Sequence, residues 1–213
     1  WMWKAADAWS ESSFGSNGLA SSGLRNTTAG FSIASWTHRT SANYAIKHGL
    51  STTPEFFVIK SRSSTTNWEF WHKDLVDTGK RIVADTGAEI TAYWADASDS
   101  ADGTGSYADI GTGESPVTAT LFALQDGDQS GTDAMIGYFW HGIPGYSKFD
   151  TYIGNANANS RFNPYIDLGF EPAILIIRRS GSSGDHWAIY DNKRNVGNVK
   201  DRDKLNLNSN HDH

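Results

Sequence analysis

The sequence contains no cysteine, which removes disulfides, thiolate metal sites and cysteine nucleophiles from consideration. It is also short of concentrated positive charge. Lysine and arginine never exceed two in a row, and 18 basic residues stand against 24 acidic ones, for a net charge of −6. A nucleic-acid surface needs a basic stripe to neutralise phosphates, so nucleic acid is not an expected partner. No stretch comes near the ~20 consecutive apolar residues of a membrane-spanning helix. No secretory leader is visible either, and membrane insertion is not expected. The chain opens on Trp1 inside an apolar cluster and reads as a mature, processed or partial product. Long runs of Leu, Glu, Lys and Ala at helical spacing are missing, which argues against an α-rich fold.

What is present points to strands. Nine Trp, eight Tyr and ten Phe bring the aromatic share to 13%, and aromatic side chains suit half-buried pleated surfaces. The 21 glycines, with many Ser, Thr, Asn and Asp, supply turns. The runs Phe56-Phe57-Val58-Ile59 and Ile174-Leu175-Ile176-Ile177 are short, apolar and bounded by turn residues, the pattern of strands covered on both faces. Polar clusters at 61–66 and 180–184 follow them as hairpin loops. Further strands are expected at 119–124 and 134–140.

The segments also match one another. Gly30-Phe31-Ser32 resembles Gly145-Tyr146-Ser147, and the run from Pro54 to Lys60 resembles that from Pro172 to Arg178. Asn67-Trp68-Glu69-Phe70-Trp71 resembles His186-Trp187-Ala188-Ile189-Tyr190. The members of each pair are spaced roughly 115–119 positions apart, as one unit occurring twice with loop insertions would give. Trp1-Met2-Trp3-Lys4 likewise resembles Tyr138-Phe139-Trp140-His141, an aromatic strand ahead of each unit. The expected organisation is a closing strand and linker over 1–29, a first unit over 30–141, and a second, C-terminally incomplete unit over 142–213. The expected fold is all-β, an antiparallel sandwich or jelly-roll-like arrangement of two repeated units. Residues 95–118, rich in Asp, Ser, Gly and Thr, read as a long surface loop, where contacts concentrate more than on core strands.

Few residues suggest chemistry. None of the seven histidines pairs at metal-ligand helix spacing, and His48 and His72 read as turn and strand hydrogen-bonding residues. The carboxylate pair of a glycoside hydrolase would stand on strands facing a cleft. Most acids here fall in loops, and Glu55, Glu69 and Glu171 on or beside strands read as solvated, so no catalytic residue is assigned. Asp126, Asp128 and Ser130 imitate the start of a calcium loop, but position twelve is Gly137 where a bidentate Glu belongs. A hairpin turn is the favoured reading, and calcium is the only cofactor left open. Exposed Trp and Tyr stack on sugar rings and anchor interfaces. Tyr93 and Trp94, beside the acidic stretch, are the sugar-stacking candidates, with Trp71 and Tyr190 on the strand face opposite Trp68 and Trp187. Those last two read as shared core positions, and core packing is the favoured role for most of the aromatics.

The ordered motifs resemble a known family. They are Trp3-Lys4, Thr28-Ala29-Gly30-Phe31-Ser32-Ile33, His48-Gly49-Leu50, Asn67-Trp68 and Trp71-His72-Lys73, then Gly145-Tyr146-Ser147-Lys148-Phe149, Tyr152-Ile153-Gly154-Asn155, Gly169-Phe170, Pro172 and Asp191-Asn192-Lys193-Arg194. Together they are similar to a repeated β-rich module of large virion-associated proteins of tailed, often marine, phages. The resemblance covers nearly the whole chain; Tyr138-Phe139-Trp140 departs from it where the family often carries a cysteine, and the 95–118 loop is longer and more acidic. It implies a non-enzymatic tail-fibre, appendage or capsid-surface protein on the virion, with other virion proteins and further copies of itself as partners. No functional residue is carried over. The alternative expectation is a lectin-like module that binds host cell-surface glycans.

Overall fold

A computed structural model of the chain describes residues 4–40, 42–75, 77–84, 89–91, 94–98, 114–125, 131–154, 164–180, 187–193 and 205–206. The strands are β1 (Asp7–Glu11), β2 (Ser21–Asn26), β3 (Phe31–Thr37), β4 (Tyr44–Lys47), β5 (Phe56–Ser61), β6 (Glu69–His72), β7 (Lys80–Val83), β8 (Glu89–Thr91), β9 (Leu121–Leu124), β10 (Ala134–Trp140), β11 (Ile174–Ile177), β12 (Ala188–Asp191) and β13 (Leu205–Asn206). No helix occurs among the described residues. The fold is an all-β, antiparallel sandwich.

The main layer is an eight-stranded sheet in the order β1-β2-β3-β10-β5-β6-β7-β8. Its central strand, β10, pairs with β3 on one side and β5 on the other, so Phe139 lies opposite both Ser32 and Phe57. The second layer is the pair β4-β9, in which Ile46 faces Phe122 and Tyr44 faces Leu124. Alternation along these strands divides their side chains. Tyr44, Ile46, Phe122 and Leu124 point to the main sheet, while Ala45, Leu121 and Ala123 pack behind with Ala95 and Ala97.

Phe57 stands at the middle of the core between the layers. Its ring stacks on Trp71 at 5.1 Å, meets Phe122 at 4.8 Å and Phe139 at 5.7 Å, and takes Trp94 edge-on at 5.3 Å. Each such pair contributes about 0.5–1.5 kcal/mol beyond area burial. Several polar atoms within the core find partners close by. Trp36 Nε1 donates to the Tyr44 hydroxyl at 3.1 Å, and that hydroxyl shares a second hydrogen bond with His38 Nδ1 at 2.7 Å. At the β5–β6 turn, Ser61 and Ser64 hydroxyls donate to Asp133 Oδ2 at 2.8 and 2.5 Å, tying that loop to the start of β10.

Several expectations change on contact with the structure. The 95–118 segment is not surface loop at its ends. Ala95, Asp96, Ala97 and Val117 are buried, and Ala97 N–H donates to Ser115 O at 3.0 Å, closing the stem. β9 and β10 belong to different sheets and do not pair with one another, so the hairpin expected between them does not form. The stretch 1–29, read as closing strand and linker, contains β1 and β2, which extend the main sheet. Glu69 is not solvated: it is buried and its carboxylate lies 2.9 Å from Arg81 Nη1.

A third sheet, β11-β12-β13, carries the second of the matched segments. Its first hairpin repeats the geometry of β5-β6. Phe56 faces His72 in one, and the aligned Ile174 faces Asp191 in the other. Even the closing bond is shared, with Lys73 N–H donating to Glu55 O at 2.9 Å and Asn192 N–H to Ala173 O at 3.1 Å. The surroundings differ. Phe57 and Val58 are 0% and 6% exposed, whereas the aligned Leu175 and Ile176 are 37% and 43% exposed.

Candidate functional site

The outer face of the main sheet carries aromatics at alternate positions of several strands. Strand period two sends Phe57 and Phe139 inward and therefore Phe56, Tyr138 and Trp140 outward. The outward set forms a chain of ring contacts: Phe31 to Trp140 at 5.0 Å, Trp140 to Phe56 at 5.5 Å, Phe56 to Phe70 at 6.3 Å and Phe70 to Trp187 at 4.5 Å. A branch runs from Trp140 to Tyr138 at 6.2 Å and on to Trp68 at 6.3 Å. Trp68 is 42% exposed.

Phe56 also stacks on Phe149 at 5.8 Å, with the rings 12° apart. Phe149 marks a cleft of about 300 Å³ where the start of β5, the end of β6, the 142–150 turn and residues 168–170 meet. Its walls combine Phe149, Phe170 and Pro144 with Glu55, Lys73, Lys148 and Asp150. Glu55 Oε2 accepts the Gly142 N–H at 2.9 Å. Lys148 Nζ lies 3.3 Å from Asp150 Oδ2 and donates to Asp167 O at 3.2 Å. The turn itself is fixed by Ser147 Oγ, which accepts the Ile143 N–H at 3.1 Å, and by Gly145 at φ 75°.

Electrostatics keep both signs of charge in place. The Thr151 N–H and the Lys148 ammonium hold the Asp150 carboxyl below its ordinary value. Partial burial works against the Lys73 charge, but the hydrogen bond and charge of Asp74, with Glu55 and Asp150, outweigh it and raise its pKa. Burial lowers the His72 pKa against the pull of Asp74. The cleft thus presents paired donors and acceptors against aromatic walls, a composition suited to recognition of a polar partner.

Three of the ordered motifs converge here. Lys73 ends Trp71-His72-Lys73, Ser147, Lys148 and Phe149 come from Gly145–Phe149, and Phe170 comes from Gly169-Phe170, while Glu55 joins them from beside Pro54 at the start of a matched apolar run. Over residues 1–213 the sequence matches a family described as a domain of unknown function, DUF7483. The chain belongs to the DUF7483 family. No curated protein and no solved structure matches it.

Of the residues that sequence assigned to this DUF7483 chain's ligand contacts, few are available to a ligand. Trp94 is fully buried, with its Nε1 donating to Lys80 O at 3.2 Å. Trp71 is also buried and donates to Thr78 O at 2.9 Å. Neither offers a ring face to a sugar. Tyr190 is half-buried on β12 opposite Leu175, and Tyr93 lies outside the described residues. Asp126, Asp128 and Ser130 also lie outside them, and among the described residues no cluster of acidic and imidazole groups could hold a metal.

Trp68 and Trp187 do not share an environment: Trp187 is buried against Phe70, while Trp68 sits exposed on the Tyr138 ring. Sequence reads Trp68 as a core position, and the structure instead leaves its ring 42% exposed on the outer face; the outward rings of Tyr138 and Trp140 carry no site assignment in the sequence reading. The signal was the unbroken run Tyr138-Phe139-Trp140, since a strand with aromatics at three successive positions must show them on both faces.

Proposed function

We propose that the chain is a non-enzymatic structural module of a tailed-phage virion, built into a tail fibre or surface appendage and acting in assembly and host attachment. One observation supports this reading most: the motif residues are used for architecture. Ser32 Oγ donates to His48 O, and His48 Nδ1 accepts the Leu50 N–H at 3.2 Å. Gly49, at φ 84°, lets the Trp9 ring close over the turn, and Gly30, at φ 64°, sits under His141 O. A side chain at either glycine would collide with those atoms. Motifs that specify turns and core contacts suit a rigid scaffold repeated along an appendage. Partners on this reading are other virion proteins and further copies of the chain, at the particle surface.

Antiserum against the purified chain, applied to gradient-purified particles of a phage encoding it, should label the particles and band with them. Recovery only as unassembled protein in the lysate would refute the virion assignment. Release of reducing sugar from host polysaccharide by the purified chain would refute the non-enzymatic part.

A second reading, a lectin-like module for cell-surface glycans, draws on the exposed Trp68 ring beside Tyr138 and Trp140. Exposed aromatic rails of this kind stack on the apolar faces of sugar rings. Glycan-array binding that disappears in Trp68→Ala, with melting unchanged, is the result expected on that reading. An array without signal removes it.

A further inference from the structure

The ring contacts of the outer face do not end on the sheet. They run without a break from exposed Trp68 through Tyr138, Trp140 and Phe56 to Phe149, and Phe149 is a wall of the cleft at the 142–150 turn. Phe56 braces that ring, stacked on it at 5.8 Å with 12° between the planes, and Phe170 adds a second aromatic to the walls. The cleft measures about 300 Å³. That is the lower end of the range for small-molecule sites, room for a single ring-sized ligand. Its charged groups are balanced: Glu55 and Asp150 line it together with Lys73 and Lys148. Formal charges of opposite sign cancel, so neither an anion nor a cation is favoured, while hydrogen-bond donors and acceptors are both abundant. Glu55 is built into place. Its Oε2 accepts the Gly142 N–H at 2.9 Å, and a Cβ at Gly142 would lie 2.7 Å from that oxygen, so glycine allows the approach. Its backbone is pinned as well, with Glu55 N–H donating to Trp140 O at 2.7 Å and Glu55 O accepting the Lys73 N–H at 2.9 Å. A carboxylate offers about four acceptor sites, and one N–H leaves most of that capacity for a ligand.

We propose that this cleft binds a single neutral hexopyranose unit of a glycan, with the apolar face of the sugar against Phe149 and its hydroxyls shared between Glu55 and the Lys73 and Lys148 ammonium groups. A pyranose ring combines an apolar face with hydroxyls that both donate and accept, which is what these walls can receive. It is uncharged, in keeping with side chains whose charges cancel. The inference rests on the glycan-binding reading and deepens it. The cleft selects one sugar residue, and the outward rings as far as Trp68 offer stacking to neighbouring residues of the same glycan.

Methyl glycosides of glucose, galactose, mannose and N-acetylglucosamine, titrated to tens of millimolar into the isotope-labelled chain, test the site by amide NMR. At least one should shift the Gly142, Lys148 and Phe149 signals saturably, and the charged sugars glucosamine and glucuronic acid should bind more weakly. Glu55→Gln keeps an acceptor for the Gly142 N–H and should weaken binding about tenfold. Phe149→Leu keeps apolar bulk without a ring face and should also weaken it about tenfold. Both variants should retain the amide spectrum of the parent; if either loses it, the shift map of the parent chain decides alone. Shifts confined to other amides, tighter binding of a charged sugar, or hexoside binding untouched by both variants would overturn the proposal. Glycan-array binding abolished by Trp68→Ala but unaffected by Glu55→Gln and Phe149→Leu would overturn the cleft assignment and leave the glycan-binding reading standing. An array without signal, together with no hexoside shift, removes both.

Discussion

Acid tests the neutral, buried His48. Its Nδ1 accepts the Leu50 N–H, so the ring proton sits on Nε2 and is donated to Thr118 O at 3.2 Å. Burial, partly opposed by the bond to Thr118, lowers its pKa from 6.5 to about 4. The folded protein therefore resists a proton that the unfolded chain accepts, and stability rises with pH between the two values. Stability from this group is fully present above pH 6.5 and is lost as pH falls toward 4. Relative to pH 8, the loss is about 2 kcal/mol at pH 5 and about 3 kcal/mol at pH 4. His72, also shifted down, loses stability in the same direction below 6.5. Asp133 and Asp150, with lowered carboxyl pKa values, add their losses only as pH falls through and below the ordinary carboxylate range. Urea midpoints measured at half-unit steps from pH 8 to pH 4 follow the whole curve. Side-chain nitrogen NMR of His48 should show the Nε2-protonated neutral ring down to about pH 5, one unit above the folded pKa. A His48 signal titrating near 6.5, an Nδ1-protonated ring, or a urea midpoint unchanged between pH 8 and pH 5 would refute the reasoning.

Further outcomes follow from the packing. Gly49→Ala places a Cβ 2.4 Å from the Trp9 ring at positive φ and should cost about 2 kcal/mol or more in denaturant titration. Phe57→Ala empties the middle of the aromatic core and should cost about 3–5 kcal/mol, whereas Trp68→Ala on the outer face should leave the midpoint within about 0.5 kcal/mol. Glu69→Ala removes the carboxylate of a buried ion pair with Arg81 and should cost about 3 kcal/mol. Co-substitution Arg81→Met should recover part of that loss, and a double-mutant cycle reads the difference.

How much of this was legible in the sequence depended on where side chains declared a face. β5 and β11 announced themselves as apolar runs between turn residues, and β9 and β10 through their apolar and aromatic content. β1 and β2 did not. Asp7–Glu11 and Ser21–Asn26 are mostly polar because they form the outer edge of a sheet, and Trp9 alone of β1 reaches the core. Trp94 misled through its neighbours. An aromatic ahead of an acidic stretch looks exposed, yet the sheets close over it and Lys80 O satisfies its indole. The cleft was hidden for a different reason. Glu55, Lys73, Lys148 and Phe170 come from four separate segments, and only the strand order brings them together. The ordered motifs contained most of its residues without indicating that they meet.

The position of β10 has a consequence for how the chain acquires its fold. Its partners β3 and β5 are complete some 70 or more residues earlier in synthesis, yet they share no pairing until residues 134–140 arrive between them. Until then the nascent chain holds two half-sheets, β1-β2-β3 and β5 through β8, each with an open apolar edge. The last-made strand of the main sheet is thus its keystone. Folding should be late and abrupt, and ribosome-bound chains ending before residue 134 should be sensitive to protease, with resistance gained in one step once Trp140 has cleared the exit tunnel.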